Sequence, residues 1–394
     1  MSSSTAPMRI YLDHAATTPP SRAAVAAMQQ ALEECWGNPS SIHADGQHAR
    51  MILDGARDTL AAFTGTGARN VVFTASGTEA DNLALTGILG RWGSSRGQHI
   101  VVSSIEHEAV LSTAEALADS GAAEVTMVHP DHDGVIQPSA VAQALRPDTV
   151  LVSIMYVNNE TGVIQDIPAI ARTVHAARAE TFVHTDAVQG AGYLPCDMES
   201  LGVDLLSLSS HKLYGPKGAG CLVLRDGVFV APVIHGGGQE RNRRSGTEAI
   251  PAIAGFAAAV RELVEHRSAW CMEMESLRTM LTSEVRKELP GTIIPGERAQ
   301  RVPSCASFVF PGIRNELLLT RLDAAGISAS GGSACSAGTT LPSHVLTAMG
   351  FSDEDARGLL RCTLGHATTR EDARAAAAAI VDAVRALSTS IADA

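Results

Sequence analysis

The sequence predicts an α/β protein: a large domain with a mostly parallel sheet between layers of helices, followed by a smaller α+β domain. Three observations carry this. Between about residues 70 and 225, six or seven short apolar runs alternate with helical segments, the rhythm of a parallel sheet covered on both faces. The hydrophobic share is 45%, mostly Ala, Val, Leu and Ile with only 4% aromatic residues, a composition suited to helices packed on such a sheet. At 394 residues the chain can bury one large core and a second, smaller one.

In chain order, Ile10-Tyr11-Leu12 is a short apolar run and residues 13–20 break into a turn. Periodicity predicts helices over 21–35 and 46–63. Between them lies a polar loop, Trp36 to His43, which is either a connector or the lining of a site. Val71–Thr74 reads as a strand. Ser76 with Glu79 then forms a capping box, so a helix starts there. Gly77 permits close backbone approach, Thr78 adds a hydroxyl, and the helix start offers N–H groups, which together suit a phosphate. Taken alone, this reads first as an ordinary strand-to-helix turn.

Further strands are expected over 99–104, 124–128, 149–157, 181–186, 203–208 and 221–224. The first leads to His107, a position where a lone histidine is more often structural. Residues 129–134 read as a surface turn without a metal site. After Gly255 come helical stretches over 257–266 and on to about 288, then short strands such as 306–310. Thr368-x-x-Glu371 is expected to cap a final alanine-rich helix reaching about residue 390.

The strand ends of the large domain carry Thr78, His107, Asn159, Asp186 and Lys212, and in a parallel sheet such ends converge on one edge. Lysine is scarce: of 30 basic residues only Lys212, Lys217 and Lys287 are lysine. Lys287 reads as part of a solvated helix face, and Lys217 sits in a glycine-rich turn. Lys212 follows a buried strand, where an amine that attacks a carbonyl is of use and arginine is not. Ser209-x-x-Lys212 also fits a serine–lysine acyl-enzyme, but no Lys-Thr-Gly follows any lysine. A phosphate cup, a proton carrier, an amide, an acid and a lysine are the protein's share of pyridoxal 5'-phosphate chemistry. In that chemistry the lysine holds the aldehyde and the acid keeps the ring nitrogen protonated.

Composition also excludes. The net charge of -12, without any basic stretch, argues against direct nucleic-acid binding and against anionic membranes. No apolar stretch is long enough to span a bilayer and the amino end lacks a signal core. Seven scattered cysteines, an odd number without a Cys-x-x-Cys pair, suggest free thiols in a reducing cytoplasm.

Seven motifs, in order, carry a family resemblance. They are Ser-Gly-Thr-Glu-Ala-Asp-Asn, Glu-His-Glu-Ala-Val, Val-Asn-Asn-Glu-Thr-Gly, His-Thr-Asp-Ala-Val-Gln, Ser-Ser-His-Lys-Leu-Tyr-Gly-Pro-Lys-Gly, Arg-Arg-Ser-Gly-Thr and Gly-Gly-Ser-Ala-Cys. From about Tyr11 to Arg370 the chain resembles the cysteine desulfurases of the NifS/IscS type, within the class V group of fold-type I pyridoxal-phosphate enzymes. The resemblance implies a seven-stranded sheet in a large cofactor-binding domain (16–257), and a small domain (1–15 and 258–394) carrying the Cys335 loop. It implies that Lys212 holds the cofactor, that His107 stacks on the ring and helps move protons, and that Asp186 pairs with the ring nitrogen. Asn159 and Gln189 resemble partners of the ring hydroxyl. Gly77, Thr78, Ser209 and His211 resemble phosphate contacts. Thr247 matches a threonine lent across a homodimer interface to the other subunit's phosphate. Arg361 matches the arginine that clamps the substrate carboxylate, while Asn38 and Asn159 resemble substrate-side residues.

Cys335 lies in a run of small residues, 328–342, that reads as a mobile exposed loop. By the resemblance, L-cysteine gives L-alanine, and the Cys335 thiolate takes the sulfur as a persulfide for an acceptor protein. The loop length resembles the IscS-like group. The carboxyl end lacks the extended tail by which housekeeping members engage a scaffold, so iron–sulfur assembly, tRNA thiolation and DNA or metabolite sulfuration all stay open as destinations. Selenocysteine lyase or an aminotransferase of the same class is the alternative activity. Cys362 stands where an aromatic is expected, and nothing in the sequence explains it.

Overall fold

The computed structural model describes residues 9–332 and 341–392. Its strands, in chain order, are β1 (Ile10–Tyr11), β2 (Val71–Thr74), β3 (His99–Ser103), β4 (Glu124–Val128), β5 (Thr149–Ser153), β6 (Phe182–Asp186), β7 (Leu205–Ser209), β8 (Gly220–Leu224), β9 (Cys305–Val309), β10 (Ile327–Ser328) and β11 (Leu359–Thr363). The described residues form a seven-stranded sheet in the order β2-β8-β7-β6-β5-β3-β4. The pairs among β7, β6, β5, β3 and β4 are parallel. β8 runs antiparallel to both β2 and β7.

Continuous apolar runs form this sheet because both faces are covered. Successive residues enter opposite cores: Val71 and Phe73 pack on one face and Val72 on the other, and Leu206 and Leu208 oppose Leu205 in the same way. The helix Gly77–Arg96 lies over one face, with Leu83, Leu85 and Ile88 buried against the sheet. Leu53 and Leu60 of the helix Ala44–Thr64 belong to the opposite core.

A second core gathers Leu12, Phe308, Leu360 and Ile380 around β9 and β11, which pair antiparallel, and beside β1, which pairs parallel with β10. The helix Ile250–Glu288 joins the two cores. Phe256, Val260 and Leu263 pack with the sheet, whereas Met274, Leu277, Leu281 and Val285 pack with the second core. Two helical stretches were expected here, yet the helix is continuous, because no proline or glycine interrupts it after Gly255. The last helix, Arg370–Ala392, is capped one residue later than expected. Thr369 and Asp372 make the reciprocal pair, with Asp372 N–H donating to Thr369 Oγ1 (3.1 Å) and Thr369 N–H to Asp372 Oδ2 (2.9 Å). Thr368 Oγ1 instead accepts from Gly365 N–H at 2.9 Å. Among the described residues no helix is long and apolar enough to cross a membrane.

Because β3, β5, β6 and β7 are parallel, their carboxyl ends open onto one edge of the sheet, and the chain delivers its polar residues there.

Candidate active site

β7 ends at Ser209, and a single tight turn, Ser210–Lys212, aims the Lys212 side chain back over the sheet edge. Its Nζ donates to the carbonyls of Ala15 and of Ala16, the latter at 2.8 Å. The Ala15 carbonyl also accepts from Gln189 Nε2 at 2.8 Å. The amino-terminal turn thus forms one wall of the site. It is pinned by Thr18, whose hydroxyl donates to the His211 carbonyl (2.9 Å), and by the contact of Thr17 Oγ1 with His211 Nδ1 (3.1 Å).

Asp186 closes β6, and its Oδ1 accepts from the Val188 N–H at 2.8 Å. Burial pushes its carboxyl group up, while that hydrogen bond and the charges of His107 and Lys212 hold it back. His107 caps the helix Glu108–Asp119, its Nδ1 accepting from Ala109 N–H at 3.0 Å. That bond places the proton of the neutral ring on Nε2. Burial lowers the pKa of His107, with Asp186 opposing and Lys212 reinforcing the shift. Burial, followed by the nearby Lys212 and Lys217, brings His211 down to about 4.

Beneath these groups lie three polar residues of the seven motifs that carry no predicted role. Asp81, in the helix Gly77–Arg96, is buried, and burial with the neighbouring Asp186 raises its pKa well above the usual range. His184 is held between the Ser153 and Ser207 hydroxyls at 2.8 and 2.9 Å, and burial drops it to about 3, so it stays neutral. Glu106 accepts from Ser103 and from the Met155 N–H (2.8 Å), and burial raises it to about 8.

A cavity of about 240 Å³ unites the set. Among its lining residues are Gly77, Thr78, His107, Asn159, Asp186, Gln189, Ser209, His211, Lys212 and Arg361, all predicted from the sequence. Arg361 is 1% exposed; its guanidinium donates to the Asn159 carbonyl (2.9 Å) and to Asp13 Oδ1 (2.8 Å). Asn38 and Thr247 are exposed in the single chain and do not line the cavity. Cys335 lies outside the described residues.

The residues fit pyridoxal phosphate on a specific observation. Ser209 Oγ, Asn159 Oδ1 and Arg361 Nε are buried without a hydrogen-bond partner among the described residues, and all three residues line this cavity. Unmet buried polar atoms are costly, so a polar guest satisfies them. Ser209 adjoins the start of the helix Gly77–Arg96, where a Cβ on Gly77 would stand 2.9 Å from Val188 Cγ2 and 3.2 Å from Ser209 Cβ. The first N–H groups of that helix have no partner within it and face an anion favourably. Ser76 Oγ accepts from Glu79 N–H (3.1 Å) as the capping box requires, but the Glu79 carboxylate reaches Ala75 N–H (2.8 Å) and Arg244 (2.7 Å).

The carbonyls of Ala15 and Ala16 carry no side-chain signature in the sequence, and the Asp13 carboxylate meets Arg361 only across 348 residues of chain. Asp81 stands between Glu79 and Asn82 near the polar start of its helix, so its burial has no local signal either.

The aminotransferase class-V family model matches residues 10–375. The cysteine desulfurase IscS of Dictyoglomus turgidum is 40% identical over 92% of this chain and 91% of its own length. A solved NifS-like protein superposes with a TM-score of 0.89 at 36% identity, covering 96% of this chain and all of the other. A structure described as SspA in complex with cysteine gives a TM-score of 0.79 at 32% identity, covering 91% of this chain and 99% of that one. On this sequence identity, this fold and this coverage, the chain belongs to the aminotransferase class-V family, among its cysteine desulfurases of the NifS/IscS type.

Proposed function

We propose that this cysteine desulfurase holds pyridoxal 5'-phosphate on Lys212 and moves the sulfur of L-cysteine onto Cys335, releasing L-alanine. One observation carries the reading: the Lys212 amine and the Asp186 carboxyl share a cavity with the Ser209 hydroxyl, which has no partner among the described residues, at a helix start. In this reading Ser209, His211, Gly77 and Thr78 receive the phosphate, Asp186 the ring nitrogen, and Asn159 and Gln189 the ring hydroxyl. Bound there, the cofactor supplies an electron sink for charge that develops at the substrate Cα.

The chain's own groups do the rest. Arg361 offers a planar fork to the substrate carboxylate, with Asp13 and the Asn159 carbonyl holding it in orientation. Asn38 contributes on the substrate side. Lys212, with its amine free, would be placed to remove and return the substrate Cα proton. His107 is neutral near physiological pH, because burial lowers its pKa, and exchanges a proton at Nε2. Cys335, as a thiolate, takes the sulfur and carries it as a persulfide to an acceptor protein.

The reading includes a homodimer in which Thr247, exposed in one chain, reaches the phosphate of the other subunit. It divides the chain into a large unit (16–257) and a small one (1–15 and 258–394), in keeping with the two cores. It places the enzyme in a reducing cytoplasm, in keeping with the free thiols Cys35, Cys196, Cys221, Cys271, Cys305 and Cys362. Borohydride reduction of the yellow protein followed by peptide mapping tests it. The tag is expected on Lys212; a tag on Lys217 or Lys287, or none, contradicts the assignment.

A further inference from the structure

Glu160 is a glutamate 1% exposed that neither the cofactor nor the substrate contacts in the proposed function. It sits in the turn after β5 that also supplies Asn159. Asn158 locks this turn: its Oδ1 accepts from the N–H groups of Glu160 and Thr161 at 3.0 Å each, and its Nδ2 donates to the Ile105 carbonyl at 3.1 Å. The Glu160 carbonyl accepts from the Ser307 hydroxyl, and Ser307 is the strand partner of Arg361. One residue earlier, the Asn159 carbonyl accepts from the Arg361 guanidinium.

The Glu160 carboxyl points the other way. The Ser343 hydroxyl donates to its Oε2. A Cβ placed on Gly332, whose φ is +125°, would stand 3.3 and 3.4 Å from its two oxygens. Gly332 is therefore a glycine because the backbone must pass this carboxyl closely, in a conformation other residues avoid. Just before it, Ser330 exchanges backbone hydrogen bonds with Arg361 in both directions, at 3.1 and 2.7 Å. Gly332 and Ser343 flank the stretch that contains Cys335 in sequence.

We propose that Glu160 is a positioning residue that bonds the Ser343 flank of the Cys335 stretch, and leaves room only for glycine at the Gly332 flank, so that both flanks sit against the buried turn that orients Arg361. The carboxyl thereby fixes where the sulfur-accepting stretch begins and ends relative to the substrate clamp. The inference rests on Cys335 as the sulfur acceptor.

The test uses the full-length, cofactor-loaded chain carrying Glu160→Ala, Glu160→Gln, Ser343→Ala, and Glu160→Ala with Ser343→Ala. L-cysteine binding is read from the cofactor absorbance, and turnover from alanine. Glu160→Ala is expected to lower kcat about tenfold or more, as small misplacements of reacting groups do, with half-saturating L-cysteine within about threefold of wild type. Glu160→Gln, which keeps an acceptor for Ser343, should recover most of that loss. Ser343→Ala removes the bond to Glu160 together with the cap that Ser343 Oγ gives the Leu346 N–H (3.1 Å), and should lower kcat by roughly threefold, adding nothing on the Glu160→Ala background. An unchanged kcat in Glu160→Ala or Ser343→Ala, or losses that multiply in the double variant, overturns the proposal. If Glu160→Ala does not fold, Ser343→Ala and Glu160→Gln decide it by the same criteria. Turnover that survives in Cys335→Ala removes the underlying reading. A dead Cys335→Ala beside a fully active Glu160→Ala removes only the role of Glu160.

Discussion

Replacing Glu106 with glutamine should change how the stability of this protein depends on pH. Glu106 is wholly buried where β3 and β5 deliver their ends, directly before His107. Burial raises its pKa from 4.5 to about 8, against the pull of the Ser103 and Met155 hydrogen bonds. In the unfolded chain the group ionises near its ordinary value, so between these two pH values the folded state holds a proton that the unfolded state has released. A folded pKa above the unfolded one gives stability that is complete below the unfolded value and is lost as pH rises through the folded value. Each pH unit in that window is worth about 1.4 kcal/mol, and the curve flattens near the folded pKa. Integrated from pH 6 to pH 8, wild type loses about 2 kcal/mol on account of Glu106 alone. Glutamine keeps an acceptor for Ser103 and Met155, and its amide replaces Oε2, which has no partner among the described residues. Urea unfolding of both proteins at pH 6 and pH 8 measures the difference. The variant should gain about 2 kcal/mol relative to wild type over that interval. A gap that does not move with pH, or moves the other way, refutes a neutral Glu106 under the active site.

Two further substitutions probe the scaffold and the clamp. Arg57 and Glu240 form a buried bidentate pair, both bonds 2.7 Å, and Glu240 opens a left-handed run with Arg241 and Asn242 (φ 49°, 58° and 63°). Glu240→Ala strands the arginine and should cost roughly 3–5 kcal/mol in urea unfolding; a cost below about 1 kcal/mol contradicts this. Arg361→Lys replaces a fork with a point charge and should lower kcat/KM for L-cysteine about 10- to 100-fold, chiefly through KM, with the cofactor spectrum retained. An unchanged KM would remove Arg361 from the substrate carboxylate.

The sheet was legible because fully buried parallel strands are short, unbroken apolar runs: β4 has the predicted limits, and β3, β6 and β8 lie within a residue of theirs. Lys212 and Asp186 were legible because strand ends in a parallel sheet share an edge, and because lysine is rare here. What remained hidden depends on distant partners. β1 and β10 are two residues each and exist only through their pairing across the chain. The run predicted over 149–157 is regular strand only to Ser153; Tyr156 N–H still donates to the Asp186 carbonyl (2.9 Å), and Val157 then bridges Ile164 instead. The carbonyls of Ala15 and Ala16 around Lys212, and the burial that raises the pKa values of Asp81 and Glu106, depend on distant packing, which no local pattern announces. The Thr369 cap was misplaced by one residue because two threonines adjoin and only the loop geometry distinguishes them.

The most direct measurement is turnover of L-cysteine by wild type and Cys335→Ala with a thiol reductant present, counting alanine and sulfide. Wild type should release the two in equal amounts, and the variant should keep its cofactor absorbance yet release neither. Alanine that persists in the variant, or a keto acid in its place, would contradict sulfur transfer through Cys335.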